Sequence, residues 1–102
     1  MEMAVSLKPG VRFEGIHSRV IEALPILDRI YTSFGRELVI TSARDGQHMK
    51  GSLHYEGKAL DLRTFYFTPL KRQEVHFEIR NALGPDFDVI LEKDHIHLEL
   101  DP

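Results

Sequence analysis

Several features that would define a class of protein are missing from this sequence. It contains no cysteine, which excludes disulfides, thiolate zinc sites and a cysteine nucleophile. It has no run of about eighteen apolar residues, so we expect no membrane insertion. The net charge is −3, which gives no electrostatic case for nucleic acid or an anionic membrane surface as a partner. Internal repeats and low-complexity segments are absent as well.

The length and composition of the chain are typical of one small folded domain. The chain has 102 residues, 42% of them hydrophobic and 28% charged, which predicts a single domain over residues 1–102 and a monomer. A core of this size is thin, and a bound metal would add to its stability. Histidine is a common metal ligand, and the chain has six histidines, three of which lie in or beside two short motifs.

The first half of the chain predicts a helix followed by a strand. Residues 1–12 are expected to be an irregular lead-in. Apolar residues recur at helical spacing over 15–34. Pro25 should kink this helix or divide it into a pair, and Gly35 should end it. The short β-branched segment 37–42 predicts a strand.

The second half predicts a strand, a helix and a hairpin. A polar loop over 43–53 leads into an alternating strand at 58–64. Thr68 and Pro69 are typical of a helix start, and this helix should run to about Leu83 before Gly84 and Pro85. The side chains expected to face inward are Leu70, Val75, Ile79 and Leu83. Two strands, 87–91 and 95–100, are predicted to pair through a turn near Lys93 and Asp94, which gives an α+β domain with a small, mostly antiparallel sheet.

Strand alternation places three polar side chains where they can meet. In the last strand, His95 and His97 share the face opposite the apolar residues, and Asp61 takes the corresponding face of the strand at 58–64. If these strands are neighbours in one sheet, Asp61 and His97 meet, and His54 reaches the same point from the preceding loop. The hairpin at the end of the chain would then carry the metal site.

Two imidazoles and one carboxylate suit a catalytic Zn²⁺, one per chain, with three protein ligands and an open fourth position for water. Such a metal lowers the pKa of its water to about 7. Non-haem iron oxygenases use a similar set. Their usual His-x-Asp spacing is absent here, because His54 and Asp61 lie seven residues apart.

Hydrolysis at such a site also needs a general base and a cation for the substrate. Asp94, three residues before His97, or Glu92, five before, can take the proton of the water. Arg44 is the candidate to hold a substrate carbonyl or carboxylate. Gly57 would permit a tight turn, and Ala59 would leave room beside the metal. The aromatic run 65–67 either packs at a strand end or lines a substrate groove.

The motifs resemble a known family. The segment SLHYEGKALD, from Ser52 to Asp61, matches the pattern S-x-H-x-x-G-x-A-x-D of the zinc D-alanyl-D-alanine carboxypeptidases and related peptidoglycan peptidases. Asp94 stands three residues before His97, as the family's acidic residue does, and Ser42 and Arg44 match its upstream turn. The resemblance covers roughly residues 20–102.

This resemblance implies a zinc peptidase acting on short peptides that contain D-amino acids, above all peptidoglycan. It leaves open a D-Ala-D-Ala carboxypeptidase or an L-Ala-D-Glu endopeptidase. The implied ligands are His54, Asp61 and His97. The implied base is Asp94, and Arg44 would contact the substrate or transition state. The resemblance also implies that His95 and His48 support the ligands or the oxyanion. Ser52, Glu92 and Tyr55 are further candidates for supporting the ligands or contacting the substrate.

The same segment, together with the HIH sequence, is still more similar to the amino-terminal signalling domain of hedgehog proteins, which shares this fold and zinc site. His48 matches a histidine beside the hedgehog zinc. The hedgehog glutamate, however, falls on Leu91 here, with Glu92 one position away. The alternative is therefore a catalytically silent zinc-containing binding module. The short length and missing cysteine favour a bacterial or phage peptidase, made in the cytoplasm and acting on the cell wall after release.

Overall fold

The computed structural model describes residues 4–45 and 52–102. Within these residues, two helices and a five-stranded mixed sheet form an α+β fold. The helices are α1 (Ser18–Ser33) and α2 (Pro69–Leu83), and the strands are β1 (Val5–Leu7), β2 (Leu38–Ser42), β3 (Ala59–Arg63), β4 (Phe87–Leu91) and β5 (His95–Leu100). The strand order is β1-β2-β3-β5-β4. Only β1 and β2 pair in parallel, which confirms a mostly antiparallel sheet.

The prediction of an irregular lead-in over residues 1–12 is wrong at Val5–Leu7. These residues form β1, in which Val5 pairs with Leu38 and Leu7 with Ile40. A three-residue strand is too short to show an alternating pattern, and β2 supplies the template on which it forms.

Helix α1 runs through Pro25 as one element, so the predicted helix pair is not formed. The Nδ1 atom of His17 accepts a hydrogen bond from the Arg19 amide and caps the first turn. Gly35, at φ +77°, follows the helix and ends it as predicted. The buried side chains of α1 pack against the sheet. They are Val20, Ala23, Leu24, Leu27 and Tyr31.

Helix α2 begins as predicted, since Thr68 Oγ1 accepts a hydrogen bond from the Lys71 amide and Pro69 occupies the first turn. Val75 and Ile79 are buried, as expected. The expectation that Leu70 faces inward is wrong, because its side chain is 65% exposed. Leu70 lies five residues before Val75, and five residues rotate a helix by about 140°, away from the buried face.

The sheet separates an apolar face from a polar one. Leu60, Leu62, Ile96, Leu98 and Leu100 are buried in the core beneath the helices. On the opposite face of β3 and β5, Ala59 is buried, and the partly covered residues are Asp61, Arg63, His95, His97 and Glu99. In the part of the chain that is described, no helix is long and apolar enough to cross a membrane.

The turn before β3 is held against the segment that leads into α1. Gly57 donates its amide to the His54 carbonyl (3.1 Å) and accepts a hydrogen bond from the His17 amide (2.8 Å). Its φ is +73°, a conformation that favours glycine. A Cβ atom at Gly57 would overlap the Gly15 carbonyl oxygen and lie 3.2 Å from Ile16 Cα. Both contacts are with backbone, which cannot move aside easily.

We therefore expect Gly57→Ala to lower the free energy of unfolding by about 3 kcal/mol, from left-handed backbone strain and steric overlap together. Gly35→Ala is the matched control. Gly35 has a similar φ of +77°, but a Cβ there meets no atom within 4 Å, so a loss of about 1 kcal/mol is expected. Urea unfolding of both variants measures the difference. Equal losses would show that the approach of Gly57 to Gly15 is not tight.

Candidate metal centre

Three donor atoms converge on the polar face of the sheet. Asp61 and His97 are direct partners in the antiparallel pairing of β3 with β5. Asp61 Oδ1 lies 2.9 Å from His97 Nδ1 and 3.2 Å from His54 Nε2, and the two histidine nitrogens are 3.3 Å apart. The predicted meeting of His54, Asp61 and His97 is confirmed, and this group can hold a metal ion.

The separations suit a small ion. In a tetrahedral site with bonds of about 2.1 Å, neighbouring ligand atoms lie about 3.4 Å apart. The observed separations of 2.9 to 3.3 Å come close to that value. Small adjustments of the three side chains would therefore place their lone pairs around one ion.

The outer nitrogens of both imidazoles are held by hydrogen bonds. His54 is almost fully buried, and its Nδ1 lies 2.7 Å from the Ala43 carbonyl oxygen. His97 Nε2 lies 2.7 Å from Glu99 Oε1. When these nitrogens donate to the two oxygens, His54 Nε2 and His97 Nδ1 are left to face Asp61. Metal-binding histidines are oriented in this way in general.

Charge at the centre is coupled to proton binding. Burial opposes ionisation of Asp61, but hydrogen bonds from His54 and His97 outweigh it and hold the pKa of Asp61 well below its usual range. The hydrogen bond to Asp61 raises the pKa of His97, against the effect of burial and with help from Glu99. Any proton that His97 Nδ1 carries must leave when a metal ion binds at that atom, so metal binding and proton binding compete at His97.

Asp94 and His95 border the three donor atoms. His95 Nε2 lies 3.7 Å from Asp61 Oδ1, and His95 Nδ1 lies 2.6 Å from Asp94 Oδ1. The Asp94 side chain is 83% exposed. The hydrogen bond with His95 lowers the pKa of Asp94. Asp94 is thus an ionised carboxylate at neutral pH, with the His95 ring between it and Asp61.

Asp61, Asp94 and His95 line a cleft of about 390 Å³. It runs between the ends of β1 and β2 on one side and the start of β5 on the other. Of the three donor residues, Asp61 lines this cleft, so the centre borders it on the Asp61 side. The residues that line the cleft are Lys8, Thr41, Ser42, Asp61, Arg63, Phe65, Asp94 and His95.

Arg44 is placed elsewhere. Its Nη1 donates to the Glu14 carbonyl oxygen (3.3 Å), and its guanidinium lies against Gly15. Within residues 4–45 and 52–102, Arg44 forms no hydrogen bond or ion pair with the donor atoms. Its predicted contact with substrate stays a prediction.

The other predicted site residues have varied positions. Ser52 Oγ accepts a hydrogen bond from the His54 amide (3.2 Å), which helps to shape the turn. The side chain of Tyr55 is exposed. Glu92 directly follows β4 and is exposed, and its amide donates to the His95 carbonyl. His48 falls outside the described residues.

Glu99 had no predicted role. Its place on the face of His97 follows from alternation in β5, so the signal was present in the sequence. The hydrogen bond to His97 depends on side-chain geometry that alternation does not specify. The Ala43 carbonyl had no sequence signal, because every residue carries one.

Comparison with known proteins adds no relative: no protein-family model matches the sequence, and a search of curated proteins returns no significant match. A functional proposal for this chain therefore depends on its motifs and on the arrangement of its side chains.

We expect Glu99→Ala to weaken Zn²⁺ binding at least about tenfold, because His97 loses the hydrogen bond that orients its ring. Glu92→Ala is the matched control, a glutamate of the same hairpin that forms no side-chain hydrogen bond or ion pair among the described residues. Competition against a chromophoric chelator at pH 7 measures both affinities. If the two variants bind Zn²⁺ as tightly as the unmodified protein, Glu99 does not support the ligand.

Proposed function

We propose that this protein is a zinc peptidase that hydrolyses peptide bonds next to D-amino acids, with peptidoglycan stem peptides as its substrates. The supporting observation is the convergence of His54, Asp61 and His97 within 3.3 Å, at the spacing of the peptidase motif and beside an ionised Asp94. The resemblance of the motifs supports a fold of the hedgehog and D-alanyl-D-alanine peptidase type. The proposed setting is the cell wall, with a bacterial or phage origin.

The donor set supports zinc among the possible metals. Two neutral imidazole nitrogens and one carboxylate oxygen are common ligands of catalytic Zn²⁺. When bound, Zn²⁺ supplies Lewis acidity and lowers the pKa of a coordinated water to about 7. His54, Asp61 and His97 would hold it, and the cleft leaves a side open for substrate.

Asp94 would act as general base and then as general acid. Its carboxylate is ionised at neutral pH and lines the cleft. It can therefore accept the proton of the attacking water and pass it to the nitrogen of the leaving amine. His95 would hold the carboxylate in place through its Nδ1, 2.6 Å away. With both ring nitrogens protonated, His95 could also donate from Nε2 to the developing oxyanion.

Arg44 remains the proposed cation for the oxyanion or a substrate carboxylate. That role requires its guanidinium to leave the Glu14 carbonyl oxygen. Substrate binding would have to favour such a movement through a stronger, charge-assisted hydrogen bond.

The alternative is a hedgehog-like binding module that keeps zinc without catalysis. A buried Asp94 far from the metal ligands would favour it. Asp94 instead lines the cleft and is linked to Asp61 through the His95 ring. This arrangement favours the peptidase.

We expect Asp94→Asn to keep about one zinc per chain and to lower hydrolysis of purified peptidoglycan at least about 100-fold, since it removes the proton acceptor and leaves the ligands intact. Elemental analysis gives the zinc content, and the release of new amino groups gives the rate. Glu92→Gln is the matched control and should retain activity.

Three other outcomes would count against the proposal. Zinc binding without cleavage of the wall or of D-Ala-D-Ala peptides by the unmodified protein would favour the binding module. Loss of activity in Glu92→Gln alone would move the base to Glu92. A protein that takes up no zinc even after reconstitution would overturn the ligand assignment.

A further inference from the structure

Two cationic side chains line the cleft, and the functions assigned so far use neither of them. Lys8 follows β1, and its amide donates to the Ile40 carbonyl. Arg63 is the last residue of β3. Both line the same cleft as Asp61 and Asp94.

Neither cation is neutralised by a carboxylate. Across residues 4–45 and 52–102, no acidic side chain lies within ion-pair distance of the Lys8 amine or the Arg63 guanidinium. The Arg63 guanidinium instead lies over the ring of Phe65, 5.1 Å from its centroid. Phe65 is 70% exposed, and this contact holds the guanidinium at the cleft.

The register of the sheet places Arg63 close to the donor atoms. Asp61 pairs with His97, and Arg63 pairs with His95. Arg63 lies two residues beyond Asp61 on the same face, a distance of about 7 Å along the strand. An arginine side chain can span most of that distance, so its guanidinium can reach a group next to the metal ligands when it moves from the Phe65 ring.

The charges of the cleft also favour an anion once a divalent metal is bound. Lys8 and Arg63 balance Asp61 and Asp94. A divalent ion at His54, Asp61 and His97 would make the sum positive. An arginine can bind a carboxylate through two parallel hydrogen bonds, which a lysine cannot do.

We propose that Arg63, assisted by Lys8, binds a free α-carboxylate on the residue that supplies the leaving amine, which would leave the oxyanion to Arg44. This inference rests on the proposed peptidase function and narrows its substrates. When a D-Ala-D-Ala bond is cut, the leaving residue is a terminal D-alanine, which has a free α-carboxylate. When an L-Ala-D-Glu bond is cut, the leaving residue is a D-glutamate that is linked onward through its side-chain carboxyl, so its α-carboxylate is also free. Both substrates left open by the motif share this group, and the corresponding amides lack it.

A direct binding test on the zinc-loaded protein needs no turnover. In this protein, N-acetyl-D-alanine should shift NMR signals of Arg63 and Phe65, and N-acetyl-D-alanine amide should not. We expect Arg63→Gln to weaken binding of the acid at least about tenfold and Lys8→Gln about threefold. Arg63→Lys should fall between Arg63→Gln and the unmodified protein. Arg29→Gln, an exposed arginine of α1, is the control and should bind normally.

A kinetic test compares acid and amide substrates on the zinc-loaded protein. Arg63→Gln should lower kcat/KM at least about tenfold for a D-Ala-D-Ala peptide or an L-Ala-γ-D-Glu peptide with a free α-carboxylate. It should leave the rate on the matching amides unchanged. Which of the two acids is cleaved identifies the source of the carboxylate.

The two proposals can fail separately. Equal binding of acid and amide, or equal effects of Arg63→Gln and Arg29→Gln, would overturn the carboxylate site even if peptides are cleaved. Binding of N-acetyl-D-alanine that depends on Arg63, without cleavage of any peptide, would support the carboxylate site and reject the peptidase.

Discussion

The direct pairing of Asp61 with His97 across β3 and β5 is the constraint on which the rest of the centre depends. A slip of one residue between these strands would turn either the carboxylate or the imidazole toward the core. The buried leucines and isoleucine on the other face prevent that slip, because their apolar surface would then face water. The hydrophobic core therefore sets the geometry of the polar site, although no apolar side chain is a ligand.

The third donor is positioned by different means. His54 lies in a turn, and no sheet register acts on it. Its ring is held by the Ala43 carbonyl, and its turn is closed by Gly57, which packs against the backbone before α1. The centre thus links β2, the turn, β3 and β5, and a bound ion would connect segments distant in sequence. In a chain of 102 residues, such a connection would add to a thin core.

The proposed chemistry divides the polar face into two parts. The three donor atoms form one part, and the cleft that Asp61 shares with Arg63 and Lys8 forms the other. Asp94 and His95 line the same cleft and adjoin Asp61, where a proton would have to pass from water to the leaving amine. The proposed carboxylate site would hold the leaving side of the substrate, so binding and proton transfer would use neighbouring residues of one sheet.

The sequence by itself determined the elements that rest on local chemistry: the capped start of α2, the glycine after α1, and the alternation that puts Asp61, His95 and His97 on one face. Its motif also brought His54 into the same group. Only the tertiary structure decided that β1 forms, that Leu70 is exposed, that Glu99 binds His97 and that Arg44 lies at Glu14. It alone placed Lys8 and Arg63 in the same cleft. Local signals act over a few residues, whereas these contacts join side chains whose approach depends on how the whole sheet and both helices pack.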